Sequence, residues 1–308
     1  MTRSVLLLDG GLGQELIHRS SASAHHLWSL QVMLDEPHLV SEIHRDFCLA
    51  GAAIACLNTY AVTRSRLARG KNLPILPALL ETARTLAETG IRDSGCADVE
   101  IIASLPPLVA SYRPDTQLPM PQMVQEYREL IDLQKDTVDG FLAETIPSIT
   151  EARAVLQAAS DAGVRILIGL TVSDEDGTLL RSGESLQEAI AAIAAHEPIA
   201  LLINCSRPES VSDAMPVLAA SGLPFGGFAN GFTAVDALEP GGVVDVLDSR
   251  TDLDPEGYAR FAAAWLDAGA SVIGGCCEVG PAHIAALDAL LAERGCIKVN
   301  LSGFRQTA

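Results

Sequence analysis

Basic residues are scarce in this chain. Lys and Arg number 21 against 39 Asp and Glu, a formal net charge of −18 over 308 residues. A phosphate backbone needs a cationic face, so this balance argues against a nucleic-acid partner. Its field mildly favours a cationic ligand instead. Lysine is scarcer still, with Lys71, Lys135 and Lys298 alone, and none ends a predicted strand. A barrel lyase or aldolase working through a lysine Schiff base is thereby left without its nucleophile. No apolar stretch reaches the roughly 18 residues that a membrane helix needs; Arg260 and Asp267 break the best candidate, around 261–265. The apolar run after Met1-Thr2-Arg3-Ser4 ends at Leu8, too short for an export signal, which makes the cytoplasm the expected location. Seven cysteines, an odd number, argue against a disulfide framework in such a chain. There is no Ser–His–Asp order or nucleophile elbow, and no Gly-x-Gly-x-x-Gly after a strand. The loop Asp9-Gly10-Gly11-Leu12-Gly13 comes nearest but has the wrong spacing.

What is present is a core and an alternation. Hydrophobic residues make up 48% and charged ones only 19%, which excludes a disordered chain. Eight near-continuous apolar runs read as strands buried on both faces: 5–8, 53–57, 101–105, 140–143, 165–170, 199–203, 224–228 and 271–274. Helical patterns follow them at 37–49, 75–88, 122–138, 148–161, 185–196, 210–220, 255–268 and 281–293. Pro255 and Pro281 stand where a first-turn proline is tolerated, and Ser148 with Glu151 resembles a capping box. Eight strand–helix units predict an α/β fold, a single-domain (β/α)8 TIM barrel over 1–294. Residues 295–308 read as a C-terminal tail. An open doubly wound sheet is the alternative. Three long loops, 106–121, 173–183 and 229–254, are expected to shape the site.

Three thiols fall at the carboxyl ends of two predicted strands, where α/β folds build their sites: Cys205 after one, Cys276-Cys277 after the other. Three thiolates with one open position describe a catalytic zinc centre better than a structural one. Adjacent side chains on an extended strand point opposite ways, so both members of the pair face one ion only if Gly274-Gly275 lets the chain turn. Two buried small residues at a strand end are the plainer reading. Cys48, Cys56, Cys96 and Cys296 read as ordinary buried or surface thiols. Polar residues gather at the other strand ends: Asp9, Asn58-Thr59-Tyr60, Ser104, Glu144-Thr145, Asn204 and Asn230. Asp9 and Glu144 could hold a substrate ammonium, or each could cap a helix. The histidines sit away from strand ends and read as structural or solvated.

These segments resemble the homocysteine S-methyltransferase family of zinc-dependent thiol methyltransferases. The likeness runs through Leu8 to Gly13, Leu27-Trp28-Ser29 with Glu36-Pro37, Gly51-Ala52 through Tyr60, and Glu144-Thr145-Ile146-Pro147. It continues through Ile203-Asn204-Cys205, Gly274 to Cys277, and Pro281 to Ile284. The resemblance implies a (β/α)8 barrel with Zn2+ on Cys205, Cys276 and Cys277, activating the substrate thiol. It puts the carboxylates that hold the homocysteine amino group on Asp9 and Glu144. Asn204 and Asn230 become site-lining asparagines, with Gly10 and Thr145 beside them as substrate contacts. The implied reaction makes methionine from homocysteine and a small onium donor, S-methylmethionine ahead of S-adenosylmethionine. Trp28, Tyr60 or Tyr112 could face the donor cation. Gln14, Glu278-Val279-Gly280 and Ser104-Leu105-Pro106-Pro107 depart from the family pattern, and bear on the donor and acceptor more than on the metal. A zinc or redox sensor built on the vicinal thiols, or a methyltransferase with another thiol or selenol acceptor, stays open. The oligomeric state is not legible.

Overall fold

The computed structural model describes residues 3–23 and 25–307. Met1-Thr2 of the leader and Ala308 of the tail lie outside the described residues. All eight expected strands form: β1 (Ser4–Leu7), β2 (Ile54–Cys56), β3 (Glu100–Leu105), β4 (Gly140–Ile146), β5 (Leu167–Leu170), β6 (Ala200–Asn204), β7 (Phe225–Phe228) and β8 (Val272–Ile273). Neighbours pair in parallel in that order from β2 to β8, and β1 then pairs with β8, Leu6 opposite Val272. The Ala53 N–H donates to the Leu7 carbonyl (2.9 Å) and joins β1 to the start of β2. The result is a (β/α)8 barrel with helices around it, in which every strand points its carboxyl end at one mouth.

Alternation inside the apolar runs sorts side chains into two layers. Leu6, Leu8, Ile54, Ile102, Leu142, Leu167 and Leu202 fill the barrel interior. Val5, Leu7, Ala103, Phe141 and Ile168 pack outward against the helices. Three helices begin and end where the sequence pattern predicts: Pro37–Leu49, Pro255–Ala268 and Pro281–Glu293. Helices at Leu12–Arg19 and Ser29–Asp35 were not legible.

The segment read as a tail is not one. Ile297–Val299 forms a ninth strand, β9, in parallel with β1 on the side away from β8. A helix follows, Leu301–Thr307. Its Leu301 and Phe304 are buried in the same interior cluster that ends, at the opposite mouth, in Cys205 and Cys276. The chain's last elements therefore stopper the amino end of the barrel.

Candidate active site

The three thiols meet. The Cys276 sulfur lies 2.8 Å from that of Cys205, and the Cys277 sulfur 3.8 Å from it. β6, β7 and β8 set this up at their carboxyl ends: the Cys276 N–H donates to the Ala229 carbonyl (3.0 Å) and the Cys205 N–H to the Phe228 carbonyl (3.2 Å). The turn that presents both members of the pair is closed by the Val279 N–H donating to the Cys276 carbonyl (3.1 Å). Its left-handed residue is Glu278 (φ 65°), not a glycine. Gly274 and Gly275 supply room instead: a Cβ on Gly274 would stand 2.6 Å from the Leu8 Cβ. Gly10 has the same use, since a Cβ there would lie 2.1 Å from the Val279 carbonyl oxygen.

Burial works against a thiolate at Cys205. Hydrogen bonds from Cys276, Cys277 and Tyr112 outweigh it and hold the Cys205 pKa well below the free-thiol value. Those same bonds to Cys205 push Cys276 and Cys277 up, and burial adds to the effect. Three thiols this close cannot all ionise until a cation sits among them. Tyr112 had been considered only as an aromatic face. Its hydroxyl lies 2.9 Å from the Cys205 sulfur, aimed by a left-handed backbone (φ 61°) and backed by the Arg181 guanidinium 5.4 Å over its ring. No periodicity in loop 106–121 could have signalled this contact.

Asp9 and Glu144 face the same cavity. Asp9 caps no helix: the residue before Leu12–Arg19 is Gly11, without a side-chain cap. Its carboxylate accepts the Cys56 N–H (2.8 Å), and burial pushes its pKa well up, with Glu144 adding to the rise. Glu144 owes its aim to a bulge. The β4–β5 register shifts between Ala143 and Ile146, with Thr145 in the left-handed region (φ 61°), costly for a β-branched residue. Both Glu144 and Thr145 then line the cavity while Ile146 stays in the outer layer. The Glu144 carboxylate accepts from Ser104 Oγ. Burial pushes its pKa up to about 7, against the pull of that hydroxyl.

Asn204 pays for the bulge and is thereby withdrawn from the cavity. Its Oδ1 accepts the Thr145 N–H (2.7 Å) and its Nδ2 donates to Thr145 Oγ1 (3.0 Å). Asn230 is also buried behind the wall, its Oδ1 accepting the Phe232 N–H (3.1 Å). Neither asparagine is among the cavity-lining residues, and the Asn230 Nδ2 has no hydrogen-bond partner among the described residues. Gly10, Trp28 and Tyr60 do line the cavity. Trp28 meets Tyr60 edge to face, with centroids 5.7 Å apart, and donates its indole N–H to Gln14 Oε1 (2.9 Å). Gln14 Nε2 donates to Glu278 (2.7 Å), so two residues that depart from the family pattern act as one unit. Cys56 and His26, read as structural, also line the cavity. Loop 229–254 forms its outer wall through Leu238, Val244 and Leu247, and Arg113 reaches from loop 106–121 to pair with Glu239. The cavity measures about 1300 Å³ counted to its open mouth.

A parallel barrel whose mouth gathers three thiols and two carboxylates around one cavity defines an enzyme of the thiol-activating class. Comparison with known proteins is specific. The homocysteine S-methyltransferase family pattern matches residues 6–291, and the chain belongs to that family. It is 30% identical to homocysteine S-methyltransferase of Escherichia coli over 93% of this chain and 95% of the other. It is 25% identical to selenocysteine Se-methyltransferase of Brassica oleracea over 95% and 90%. The metallated form of the homocysteine methyltransferase MmuM from Escherichia coli superposes with a TM-score of 0.76 at 26% identity, covering 92% of this chain and 96% of that one.

Proposed function

We propose that the protein transfers a methyl group from a small onium donor to the sulfur of homocysteine, with zinc on Cys205, Cys276 and Cys277. The convergence of the three sulfurs within 4.8 Å of one another carries this reading. Tetrahedral zinc with bonds of about 2.3 Å sets neighbouring sulfurs about 3.8 Å apart. Cys205 and Cys277 already stand at 3.8 Å, while Cys276 must swing away from its 2.8 Å contact. The site is all thiolate, and an ion there would keep a net negative charge, suited to a thiol ligand and unsuited to activating water. Zinc, when bound, supplies the charge that takes the proton off an incoming thiol.

The chain's own groups do the rest. Asp9 and Glu144 draw the acceptor's ammonium and so orient its sulfur toward the thiol cluster. The acceptor's sulfur lone pair forms the new S–CH3 bond as the donor's bond to the same methyl breaks. The donor keeps that electron pair and leaves neutral, so no acid is needed for the leaving group. Trp28, Tyr60 and Tyr112 offer aromatic faces to the cation. S-methylmethionine stands ahead of S-adenosylmethionine as the donor in this reading. A selenol acceptor would use the same groups.

The test is a donor screen with homocysteine, reading methionine by mass, beside metal analysis. About one zinc per chain is expected, and Cys205→Ser loses both metal and turnover. Full metal content in a variant lacking all three cysteines overturns the ligand assignment. Bound zinc with no turnover of any sulfonium or ammonium donor favours a sensor.

A further inference from the structure

The cavity has a second charged end. Arg66 and Arg69 line it, on and just after the short helix Arg64–Leu67. Arg66 is only 9% exposed. Its guanidinium meets neutral acceptors alone: the Tyr60 carbonyl (2.8 Å) and the Ser111 hydroxyl (3.4 Å), with the Tyr60 ring 5.0 Å beneath. Arg69 donates to the Val109 carbonyl (3.1 Å) and runs along the loop at Gly241. Among the described residues neither forms an ion pair, whereas surface arginines such as Arg64 and Arg84 do. Glu151 reaches Arg66 only at a distance, and burial works against its charge. A buried cation without a contacting counter-charge is the costly arrangement. Here the cost falls on the cavity wall, where a ligand can offset it.

We infer that Arg66 and Arg69 form a carboxylate subsite for the methyl donor. The inference rests on the methyl-transfer reading above. The donor must point its cationic centre at the acceptor's sulfur beside the thiol cluster, which turns its other end away. The acceptor's ammonium has Asp9 and Glu144. Arg69 lies beside Val109 and Gly241 of the outer loops and Arg66 beside Tyr60 and Ser111, and a planar guanidinium fork matches a carboxylate. A donor whose carboxylate lies at the end away from its sulfonium is oriented by a cavity that carries Asp9 and Glu144 on one part of its wall and two guanidiniums on another. Donor preference is then set by two arginines that touch neither the reacting sulfur nor the methyl.

Two donors that differ only at the carboxyl test this: S-methylmethionine and its carboxamide. The native enzyme is expected to favour the carboxylate roughly 10- to 100-fold in kcat/KM, the worth of a charge-assisted hydrogen bond. Arg66→Gln and Arg69→Gln each reduce that ratio about tenfold, and Arg66→Lys keeps part of it by keeping the charge. Each ratio is internal to one sample, so a partly folded variant still reports it. Unchanged ratios in both Gln variants overturn the subsite while leaving methyl transfer standing. So does a preference that follows homocysteine against homocysteine carboxamide instead of the donor. If the native enzyme turns over no donor with homocysteine, methyl transfer itself falls and the subsite falls with it.

Discussion

Glu144 shows how a single residue is fitted to its task. Burial and the nearby Cys205 raise its pKa to about 7 while Ser104 opposes them, so it ionises within the working range of pH. An ammonium is drawn to it only in the charged form. The acceptor's KM is therefore expected to rise as pH falls through about 7, and Glu144→Gln to have a higher KM with that limb removed. The sign for stability is opposite. A carboxyl raised above its ordinary 4.5 resists ionising in the fold, so it costs stability as pH climbs from 4.5 through 7. Glu144→Gln should then melt above the native protein at pH 8 and level with it near pH 4. A native KM flat from pH 8.5 to 5.5 counts against Glu144 as the amine anchor. The place of Glu144 at the cavity was legible because it ends an apolar run. The Tyr112 hydroxyl contact and Arg66 were not, since neither a loop's composition nor a helix of four residues tells where a side chain points. The asparagines show what position alone leaves out. Asn204 also ends an apolar run, yet the left-handed Thr145 needs both ends of its amide.

At the level of elements, legibility followed burial. The eight barrel strands are buried on both faces and read as unbroken apolar runs. The ninth, Ile-Lys-Val, is half exposed and too short to read as anything, and Gly303 weakens the helical signal of the segment after it. The capping box was half right. Ser148 accepts the Glu151 N–H (3.2 Å), but the Glu151 side chain turns away to accept from Leu108 N–H and Tyr127, pinning the loop that carries Tyr112. Terminal elements so often fray that the role of the last helix calls for direct measurement. Phe304 is buried in the barrel's interior cluster, where truncation to alanine costs about 3–5 kcal/mol. Phe304→Ala is expected to lower the denaturation midpoint accordingly, while Ile297→Ala, at a half-exposed position, changes it little. Equal effects would mean that the last helix does not stopper the barrel in solution.

The whole molecule adds a long-range field to these local devices. Its net charge of −18 surrounds a mouth that already holds the thiols, Asp9 and Glu144, and a donor such as S-methylmethionine carries a net positive charge. Homocysteine is a neutral zwitterion until its thiol ionises. The field therefore distinguishes the two substrates before either touches the site: it concentrates the donor and is indifferent to the acceptor. Salt shortens the reach of that field from about 30 Å at 0.01 M to about 10 Å at 0.1 M. Donor kcat/KM should fall severalfold across that range, while the acceptor's value, measured at saturating donor, holds. Arg66 does not cancel this effect, because it is buried and acts only once the donor is inside. A salt response shared equally by donor and acceptor would locate the effect in the fold or the metal. A donor rate that rises with salt would mean that the acidic surface does not govern encounter.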